Sequence, residues 1–576
     1  MHIGDNVGNK SLTIGVVGAG GDGVVALGSL LQKLAALQGY YSEMPRYYGA
    51  QIRGGGSAVK LCLDAERLSM PVDALDILLC FDWEKYLEFE QELTLAGDTL
   101  VLHENIPPAS IALPERSFQI DLSQRSRIVS GSTLDKNIVA LGLLMKILAL
   151  PDKQVRQLIR KDESLKMLKD KLSAFEAGGR LFSEMPLPDL RLAPPKSDSA
   201  KLVIHGNAAM ARAAIRAGCR SFFGYPITPA AEIMQEMQAE LSRNDGVFLQ
   251  AEDEIASLGM ALGASLVGAK AMTCTSGPGF DLMTEMMGLV SNAEIPLVVI
   301  DVQRCGPSTG IPSKSEQSDL NHAIYGGHGD APRVVMAPYD VEGSYRLVIE
   351  SFNIAHYFQV GVVLLSDQWL GQTFVAIGDE FLQQEYQIVE RRKPDGATLV
   401  EYNRYQLTSD FISAMAAAGD EGTIYRSTGL AHNAKGEPAF DFETHQKMHE
   451  KRWQKLLPLC ERDDLVKVFG QEDSRIGIIT WGSSAQIVLE TIGSLGLQNN
   501  VKICVPELLY PMPSRVVKFL TSVDRLLVIE MNYSGQLYHY LRSQVDLPRW
   551  TKAYTRAGGR PFSRKELSNP IGEMAK

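Results

Sequence analysis

Apolar runs bounded by glycine, proline and polar residues alternate along this chain with segments whose apolar residues recur every three to four positions. Leu12–Val17 has the pattern of a buried strand, and Val24, Leu27, Leu31 and Leu34 follow it with nearly helical spacing. Further strand-like runs lie at residues 247–251, 271–274, 297–302, 362–365, 475–483, 501–505 and 525–530. This alternation predicts an α/β protein whose mainly parallel sheets carry helices on both faces.

A proline-rich stretch divides the chain. Residues 184–199 contain four prolines, which do not fit the interior of a helix or a sheet, so a linker is predicted there. We predict a first α/β unit at residues 11–183, the linker at 184–200, a second unit at 201–380, a connecting region at 381–473 and a last unit at 474–576.

Composition narrows the function classes. The 576 residues carry a formal net charge of −11, whereas proteins that bind nucleic acid usually present a basic surface, so nucleic-acid binding is not expected. No apolar run reaches the roughly 18–20 residues that span a bilayer. Residues 1–6 lack the basic and apolar regions of a secretion signal, so a cytoplasmic location is expected.

Cysteine and histidine spacing predicts no metal site in this chain. The seven cysteines are scattered without a Cys-x-x-Cys pair, as expected in a reducing compartment, so an iron–sulfur cluster would need ligands from another chain. His445 and His449 lie four residues apart, but an exposed helical face explains that spacing better than zinc does.

The glycine pattern Gly18-x-Gly20-x-x-Gly23 stands between the first strand and helix. It meets the dinucleotide-binding pattern, with Glu43 twenty residues further on, because glycines let a diphosphate approach the amides of a helix N-terminus. A tight strand-to-helix turn, or a site for another nucleotide-like ligand, is the preferred interpretation. The loop at Arg53 is either a cationic phosphate loop or a plain hairpin turn.

Glu252 and Thr228 both follow strand-like runs. Glu252 is predicted to begin a helix rich in small residues, either as a solvated partner of the helix dipole or as a carboxylate that exchanges a proton with a heterocycle nitrogen. Thr228 is predicted to cap a helix whose first residue is Pro229, next to amides that face a cleft. Carboxyl ends of parallel strands share one edge, so a single site is expected there.

Arg304 follows the strand-like run at 297–302 and precedes a Gly-Pro-Ser-Thr-Gly turn. Arginine is the usual bidentate partner of a carboxylate, so Arg304 is a candidate for binding an acidic substrate. A surface salt bridge is the alternative. Both interpretations remain open at this point.

Taken together and in order, these motifs resemble the α subunit of 2-oxoacid:ferredoxin oxidoreductases, most closely the 2-oxoglutarate type. The matching segments are 224–229, 252–256, 275–279, 306–310, 317–320, 428–432, 480–483 and 530–537. Gly18–Gly23 and the loop at 53–57 resemble the family's γ domain, fused here in front of the α part. The resemblance implies a multidomain α/β fold with a thiamine-enzyme pyrimidine-binding domain, a transketolase C-terminal-like domain and an N-terminal α/β γ domain.

The resemblance also implies a reaction and a division of labour. The enzyme would decarboxylate a 2-oxoacid on thiamine diphosphate, reduce ferredoxin through a [4Fe–4S] cluster and transfer the acyl group to coenzyme A, reversibly in some members. A β subunit would hold the diphosphate, Mg²⁺ and the cluster. Consistently, Gly21-Asp22-Gly23 begins like the metal–diphosphate motif, but no asparagine follows at residues 48–53. An (αβ)₂ assembly is expected.

By motif match, Glu252 would bond the aminopyrimidine nitrogen, Thr228 would face the substrate, and Arg304 would bind its carboxylate. The other residues that the resemblance implicates are Tyr225, Thr309 and Lys314 for substrate, Gly277 for the cofactor, and Gly20, Gly21, Gly23 and Arg53 for coenzyme A or a phosphate. Lys314, His328 and Arg333 are candidates for a distal carboxylate.

One residue departs from the family pattern, and several functions stay open. Cys305 replaces a glycine that the family has after Arg304, which raises a question about the pose of that arginine. The same chemistry on pyruvate, branched-chain or aryl 2-oxoacids is the nearest alternative. An NAD- or FAD-linked dehydrogenase and a non-catalytic scaffold subunit are alternatives of other classes.

Overall fold

The computed structural model describes residues 10–49, 55–155, 157–158, 168–396 and 401–576. These residues group into two compact units. The N-terminal unit comprises the described residues up to Ile204 together with Thr373–Gln383, and the second unit comprises His205–Gln372 and Gln384–Lys576. A strand from inside the predicted 201–380 segment therefore belongs with the N-terminal unit, while the predicted domain boundaries themselves stay predictions.

Strands of the described residues are numbered along the chain. They are β1 Ser11–Ala19, β2 Tyr41–Met44, β3 Arg46–Tyr48, β4 Gly56–Asp64, β5 Ala74–Cys80, β6 Thr94–His103, β7 Ser117–Gln119, β8 Leu202–His205, β9 Ser221–Gly224, β10 Val247–Gln250, β11 Ala271–Thr275, β12 Leu297–Gln303, β13 Val334–Met336, β14 Gly361–Asp367, β15 Phe374–Ile377, β16 Val466–Gly470, β17 Ile476–Thr480, β18 Lys502–Pro506, β19 Leu508–Tyr510, β20 Arg525–Glu530 and β21 Trp550–Thr555.

Helices of the described residues are numbered in the same way. They are α1 Val24–Leu37, α2 Trp83–Glu88, α3 Leu122–Ser130, α4 Lys136–Ile147, α5 Leu168–Glu184, α6 Gly206–Arg216, α7 Ala231–Arg243, α8 Glu254–Leu266, α9 Gly277–Asn292, α10 Leu320–Tyr325, α11 Val341–Phe358, α12 Gln368–Gln372, α13 Glu380–Gln383, α14 Phe442–Gln454, α15 Ser484–Ser494, α16 Ser514–Thr521, α17 Gln536–Gln544 and α18 Arg564–Ala575, with 3₁₀ turns at Leu457–Glu461 and Asp463–Leu465. Within the described chain, none of these helices combines the length and apolar character needed to cross a membrane.

The N-terminal unit is built on a mixed sheet with the order β7-β6-β5-β1-β4-β2-β15-β8, and β3 also pairs with β4. β1 runs parallel to β5 and antiparallel to β4. Helices α4 and α5 approach each other so closely that neither contact glycine has room for a side chain. A Cβ on Gly142 would lie 2.0 Å from the carbonyl of Phe175, and one on Gly178 would lie 1.8 Å from the carbonyl of Val139. Glycine at both positions is what allows this helix pair to pack.

The second unit contains a sheet with the order β10-β9-β11-β12-β14-β13-β19, parallel except for β19. β12 and β14 are buried along their whole length, as expected for central strands covered by helices on both faces. A further sheet has the order β16-β18-β17-β20-β21 and is parallel except for β16. The predicted α/β class with parallel sheets is confirmed.

Candidate functional site

Carboxyl ends of β11 and β12 open onto a cavity of about 350 Å³. Gly277 and Pro278 line it from the start of α9, Arg304 and Asp319 from the segment after β12, and Tyr533 from the loop after β20. Ligands of parallel sheets bind beyond the carboxyl ends of the strands, which is the kind of edge at which the sequence predicted a site. Of the predicted site residues, Arg304 and Gly277 line the cavity, whereas Glu252, Thr228, Tyr225 and Thr309 do not.

Arg304 is buried beside the cavity rather than paired on the surface. Its Nη1 donates a hydrogen bond of 2.6 Å to the carbonyl of Thr228, and its Nη2 donates one of 2.9 Å to the carbonyl of Thr309. The Nε is buried with no hydrogen-bond partner among the described residues. Burial lowers the pKa of Arg304, although acidic neighbours oppose the shift. The guanidinium is therefore fixed by two carbonyls while retaining an unused donor.

Thr228 does not cap the following helix. α7 begins at Ala231, two residues later than predicted, and Ala230 precedes it without a side-chain cap. The reason is a turn, in which the amide of Ala230 donates to the carbonyl of Ile227 before the helix starts. Thr228 and Tyr225 are exposed at this edge, and Thr228 holds Arg304 through its carbonyl.

Glu252 lies outside the helix that it was predicted to begin. α8 starts at Glu254, and Asp253 caps it by accepting a hydrogen bond of 2.7 Å from the amide of Ala256. Glu252 precedes the cap and is exposed, whereas Glu254 is 5 % exposed. The buried carboxyl group at this strand end is therefore that of Glu254.

The spacing of the buried residues in α8 indicates that Glu254 faces inward. Ser257, Leu258 and Ala261 are buried on the same face of α8, at the offsets of three, four and seven residues that place them beside Glu254. A sequence argument that treated Asp253 as the cap would have placed Glu254, not Glu252, on the inward face.

The start of α9 separates two carboxyl groups. A Cβ on Gly279 would lie 2.4 Å from Oε1 of Glu254, and one on Gly277 would lie 2.9 Å from Oδ2 of Asp319. Glycine at both positions lets these carboxyls approach the positive end of the helix. Burial raises the pKa of Glu254, and the charge of Arg304 opposes that rise.

The loop after Arg304 is closed by backbone pairing. The amide of Cys305 donates to the carbonyl of Lys314, and the amide of Ile311 donates to the carbonyl of Cys305. The Cys305 thiol is buried and donates to the carbonyl of Ser315 at 3.4 Å, and burial raises its pKa to about 11. Cysteine in place of the family's glycine therefore fills a packed position beneath the loop.

Among the remaining substrate candidates, Thr309 is exposed and contacts Arg304 through its carbonyl, while Lys314 is half-buried. His328 is exposed, and Arg333 is buried with its Nη2 on the carbonyl of Gly326. Lys314, His328 and Arg333 do not belong to the lining of the cavity.

Asp22 forms a hydrogen bond inside the Gly18–Gly23 turn of the N-terminal unit and an ion pair with Lys136 beside it. Oδ2 of Asp22 accepts a hydrogen bond of 2.7 Å from the amide of Ala19, and Lys136 pairs with Oδ1 of Asp22 at 2.9 Å. A Cβ on Gly23 would lie 2.4 Å from the side chain of Asn137. A carboxylate of the chain thus occupies the place of an anion, which favours the tight-turn interpretation. Arg53 lies outside the described residues.

The strand that carries Glu43 also differs from a dinucleotide fold. β2 pairs antiparallel with β4 and not with β1, and Glu43 is 2 % exposed. Dinucleotide folds place the acidic residue at the end of a parallel strand beside the first one, within reach of a ribose. The structure therefore does not support an NAD- or FAD-linked dehydrogenase that uses Gly18–Gly23 and Glu43.

Comparisons with known proteins agree with this geometry. Residues 212–451 match the family model described as pyruvate flavodoxin/ferredoxin oxidoreductase, thiamine diP-binding, and residues 13–181 match that described as pyruvate ferredoxin/flavodoxin oxidoreductase. The α subunit of a Sulfolobus 2-oxoacid:ferredoxin oxidoreductase is 28 % identical over 97 % of this chain and 96 % of its own. 2-Oxoglutarate synthase subunit KorA of Methanothermobacter marburgensis is 36 % identical over 64 % of this chain and 98 % of its own.

A solved structure is similar over nearly the whole chain. The 2-oxoglutarate:ferredoxin oxidoreductase from Magnetococcus marinus, with 2-oxoglutarate, coenzyme A and succinyl-CoA bound, has a TM-score of 0.92 and 34 % identity. The alignment covers 99 % of this chain and 100 % of that one.

Proposed function

The chain belongs to the 2-oxoacid:ferredoxin oxidoreductase family and is a thiamine-diphosphate-dependent oxidoreductase, and from this premise we propose that it is the α subunit of a 2-oxoglutarate-specific enzyme. The reaction is oxidative decarboxylation of 2-oxoglutarate with coenzyme A, which yields succinyl-CoA, CO₂ and reduced ferredoxin. The observation that carries the proposal is that the buried carboxyl of Glu254 lies within the electrostatic field of the anchored guanidinium of Arg304.

The residues present fit the aminopyrimidine half of the cofactor. Glu254 is buried, burial raises its pKa, and its carboxyl lies in space that a side chain at position 279 would fill. A carboxyl with a raised pKa is suited to exchange a proton with a ring nitrogen near neutral pH. Thiamine diphosphate supplies a carbon nucleophile for the 2-oxo group and an electron sink for decarboxylation.

The chain's own residues then bind and orient the substrate. Glu254, rather than Glu252, holds or releases the proton at the ring nitrogen. Arg304 binds the 1-carboxylate of the 2-oxoacid through the N–H groups of Nη1 and Nη2 that the two carbonyls do not use, while the bonds to those carbonyls keep the guanidinium plane fixed. Thr228 and Tyr225 form the exposed wall that faces the substrate, and Gly277 and Thr309 complete this edge.

A β subunit completes the site in this proposal and holds the diphosphate, Mg²⁺ and a [4Fe–4S] cluster. Large apolar side chains are exposed on the two elements that flank Glu254, at Val247 and Leu249 of β10 and at Ile255 and Met260 of α8, and apolar exposure of this kind marks interaction surfaces. We propose an (αβ)₂ assembly in the cytoplasm, with ferredoxin as the electron acceptor. The domain boundaries predicted above are part of the same proposal. A coenzyme A role for Gly20, Gly21, Gly23 and Arg53 stays a separate prediction, which requires coenzyme A to bind beside the turn that Asp22 and Lys136 close.

The test is to purify the chain anaerobically with its natural partner and to measure CoA-dependent viologen reduction on a panel of 2-oxoacids. Activity confined to 2-oxoglutarate supports the proposal. Activity on pyruvate, branched-chain or aryl 2-oxoacids keeps the chemistry and rejects the substrate. No activity on any acid, with cluster and thiamine diphosphate present, overturns the proposal in favour of a scaffold role.

A further inference from the structure

Asp301 and Asp319 form a carboxyl pair beneath the cavity. Asp301 lies in the buried central strand β12 and is 0 % exposed, while Asp319 lies just before α10 and lines the cavity. Their side chains are in hydrogen-bond contact with each other. Both oxygens of Asp301 and Oδ2 of Asp319 have no donor among the described residues. Two ionised carboxylates only accept hydrogen bonds, so a contact without a donor requires a proton between them.

The surroundings fix the geometry of this pair. Oε1 of Gln303 accepts a hydrogen bond from the amide of Asp319 at 3.1 Å, and Nε2 of Gln303 donates to the carbonyl of Ser366 at 3.0 Å. Gly277 leaves room for the Asp319 carboxyl, because a Cβ there would lie 2.9 Å from its Oδ2. The pair is therefore held in place by neighbouring strands and by the start of α9.

Charges face the pair from several elements. Arg304 is a cation whose field reaches both carboxyls, while Asp281 of α9 and Glu316 of the preceding loop add negative charge. His322 of α10 also lines the cavity, with its Nε2 3.5 Å from Oδ1 of Asp281. The charge next to Arg304 thus depends on whether the carboxyl pair holds two protons or one.

We propose that Asp301 and Asp319 hold two protons below neutral pH and share a single proton above it, and that this change sets how strongly Arg304 attracts the carboxylate of the substrate. The inference rests on the function proposed above. With both protons in place the pair is neutral. Once the first proton has left, one negative charge opposes Arg304 and repels the incoming 2-oxoacid, so the pair acts as a positioning element for substrate capture.

Titration of the pair falls in an accessible range. Burial raises the pKa of Asp319 to about 7, and burial together with Asp319 raises that of Asp301 well above its usual range. Asp319 therefore loses its proton as the pH rises through neutrality, while Asp301 keeps the proton that the pair then shares. We expect KM for the 2-oxoacid to rise by about tenfold between pH 6 and pH 8, with a smaller change in kcat, since the added charge acts on binding.

Infrared titration of the purified αβ complex tests the shared proton without any turnover. The spectrum of the parent complex minus that of Asp301→Asn should contain a protonated-carboxyl band at pH 6 that weakens but persists at pH 8, because Asp319 ionises in the parent while Asp301 keeps its proton. In the variant the asparagine amide donates to Asp319 and lets it ionise at both pH values. Asp319→Asn provides the same test if Asp301→Asn fails to fold. Absence of that band from both difference spectra overturns the proposal.

The kinetic test asks whether the pH dependence belongs to the pair. KM should be nearly flat between pH 6 and pH 8 in either asparagine variant, and a rise that persists in both contradicts the proposal. Asp340→Asn is the matched control: burial raises the pKa of this carboxyl to about 6, it caps α11 away from the cavity, and its removal should leave the parental KM profile unchanged. If the complex oxidises no 2-oxoacid, the proposed function fails, while the infrared result still decides the carboxyl pair.

Discussion

Arg304 and Thr228 are joined by a hydrogen bond of 2.6 Å from the guanidinium to the backbone carbonyl, which connects the end of β12 to the loop after β9. A second bond, to the carbonyl of Thr309, fixes the plane of the group. The arginine is thus oriented by backbone atoms, and the second N–H groups of Nη1 and Nη2 remain available for a ligand.

Arg304→Lys tests this orientation. A lysine ammonium is a point charge and does not reproduce the planar fork that spans two carbonyls and a carboxylate. We predict that KM for the 2-oxoacid rises by about 10- to 100-fold, in line with the loss of one charge-assisted hydrogen bond. Steady-state kinetics of the αβ complex measure it, with Arg475→Lys, an exposed residue paired with Asp524, as the control. Unchanged KM in Arg304→Lys would remove this arginine from substrate binding.

Gly279→Ala tests the contact between α9 and Glu254. The added methyl would lie 2.2 Å from Oγ1 of Thr275 and 2.4 Å from Oε1 of Glu254, so the carboxyl must move. We predict that kcat falls by about 10- to 100-fold, because displacement of a reacting group by 1 Å costs that much.

Gly288→Ala in the same helix is the control for that substitution. No atom lies within 4 Å of the added methyl, so activity should be retained and the helix should be more stable by up to about 1 kcal/mol. Thermal unfolding and kcat are measured for both variants. Equal activity in the two would show that the position of Glu254 does not matter for the reaction.

Glu294 anchors the connecting region by a buried ion cluster. Its carboxylate accepts hydrogen bonds from Nζ of Lys451 at 2.6 Å and of Lys455 at 2.8 Å, and all three residues are at most 2 % exposed. Burial alone would raise the pKa of Glu294, but the two lysines hold it well below its usual range. The cluster ties α14 to the end of α9.

Glu294→Gln should leave two buried lysines without their countercharge. We predict a loss of about 3–5 kcal/mol in the free energy of unfolding, the usual cost of breaking a buried ion pair from one side. Denaturant titration measures it. Glu450→Gln, the same change at an exposed position of α14, should alter stability by no more than about 0.5 kcal/mol. Similar small effects for both would mean that the cluster adds little stability.

Sequence patterns identified the architecture because local periodicity determines it. The apolar runs at 297–302 and 362–365 correspond to the fully buried central strands β12 and β14, and the motifs after β11 and β12 meet at one edge. The predicted helix start at Glu252 was wrong by two residues, since a helix start depends on which of three adjacent acidic residues caps it. Only the hydrogen bond of Asp253 decides that.

Contacts between residues that are far apart in the chain could not be predicted from local sequence patterns. The sequence analysis assigned no role to Asp301, a polar residue within an apolar strand. Its contact with Asp319 depends on how the loop after β12 folds back. Glu294 and Lys451 are 157 residues apart in the chain. A single sequence contains no signal that pairs such residues, although a charge inside an apolar strand does indicate that a partner exists.

The most direct test of the account compares Glu254→Gln with Glu252→Gln in the purified αβ complex. Both variants remove one carboxylate from the same strand end, but only Glu254 is buried beside α9. We predict that viologen reduction with the preferred 2-oxoacid falls by about 10²- to 10⁴-fold in Glu254→Gln and by less than about threefold in Glu252→Gln. The reverse ranking would restore Glu252 to the cofactor, and full activity in both variants would contradict the claim that this chain supplies the carboxylate for catalysis.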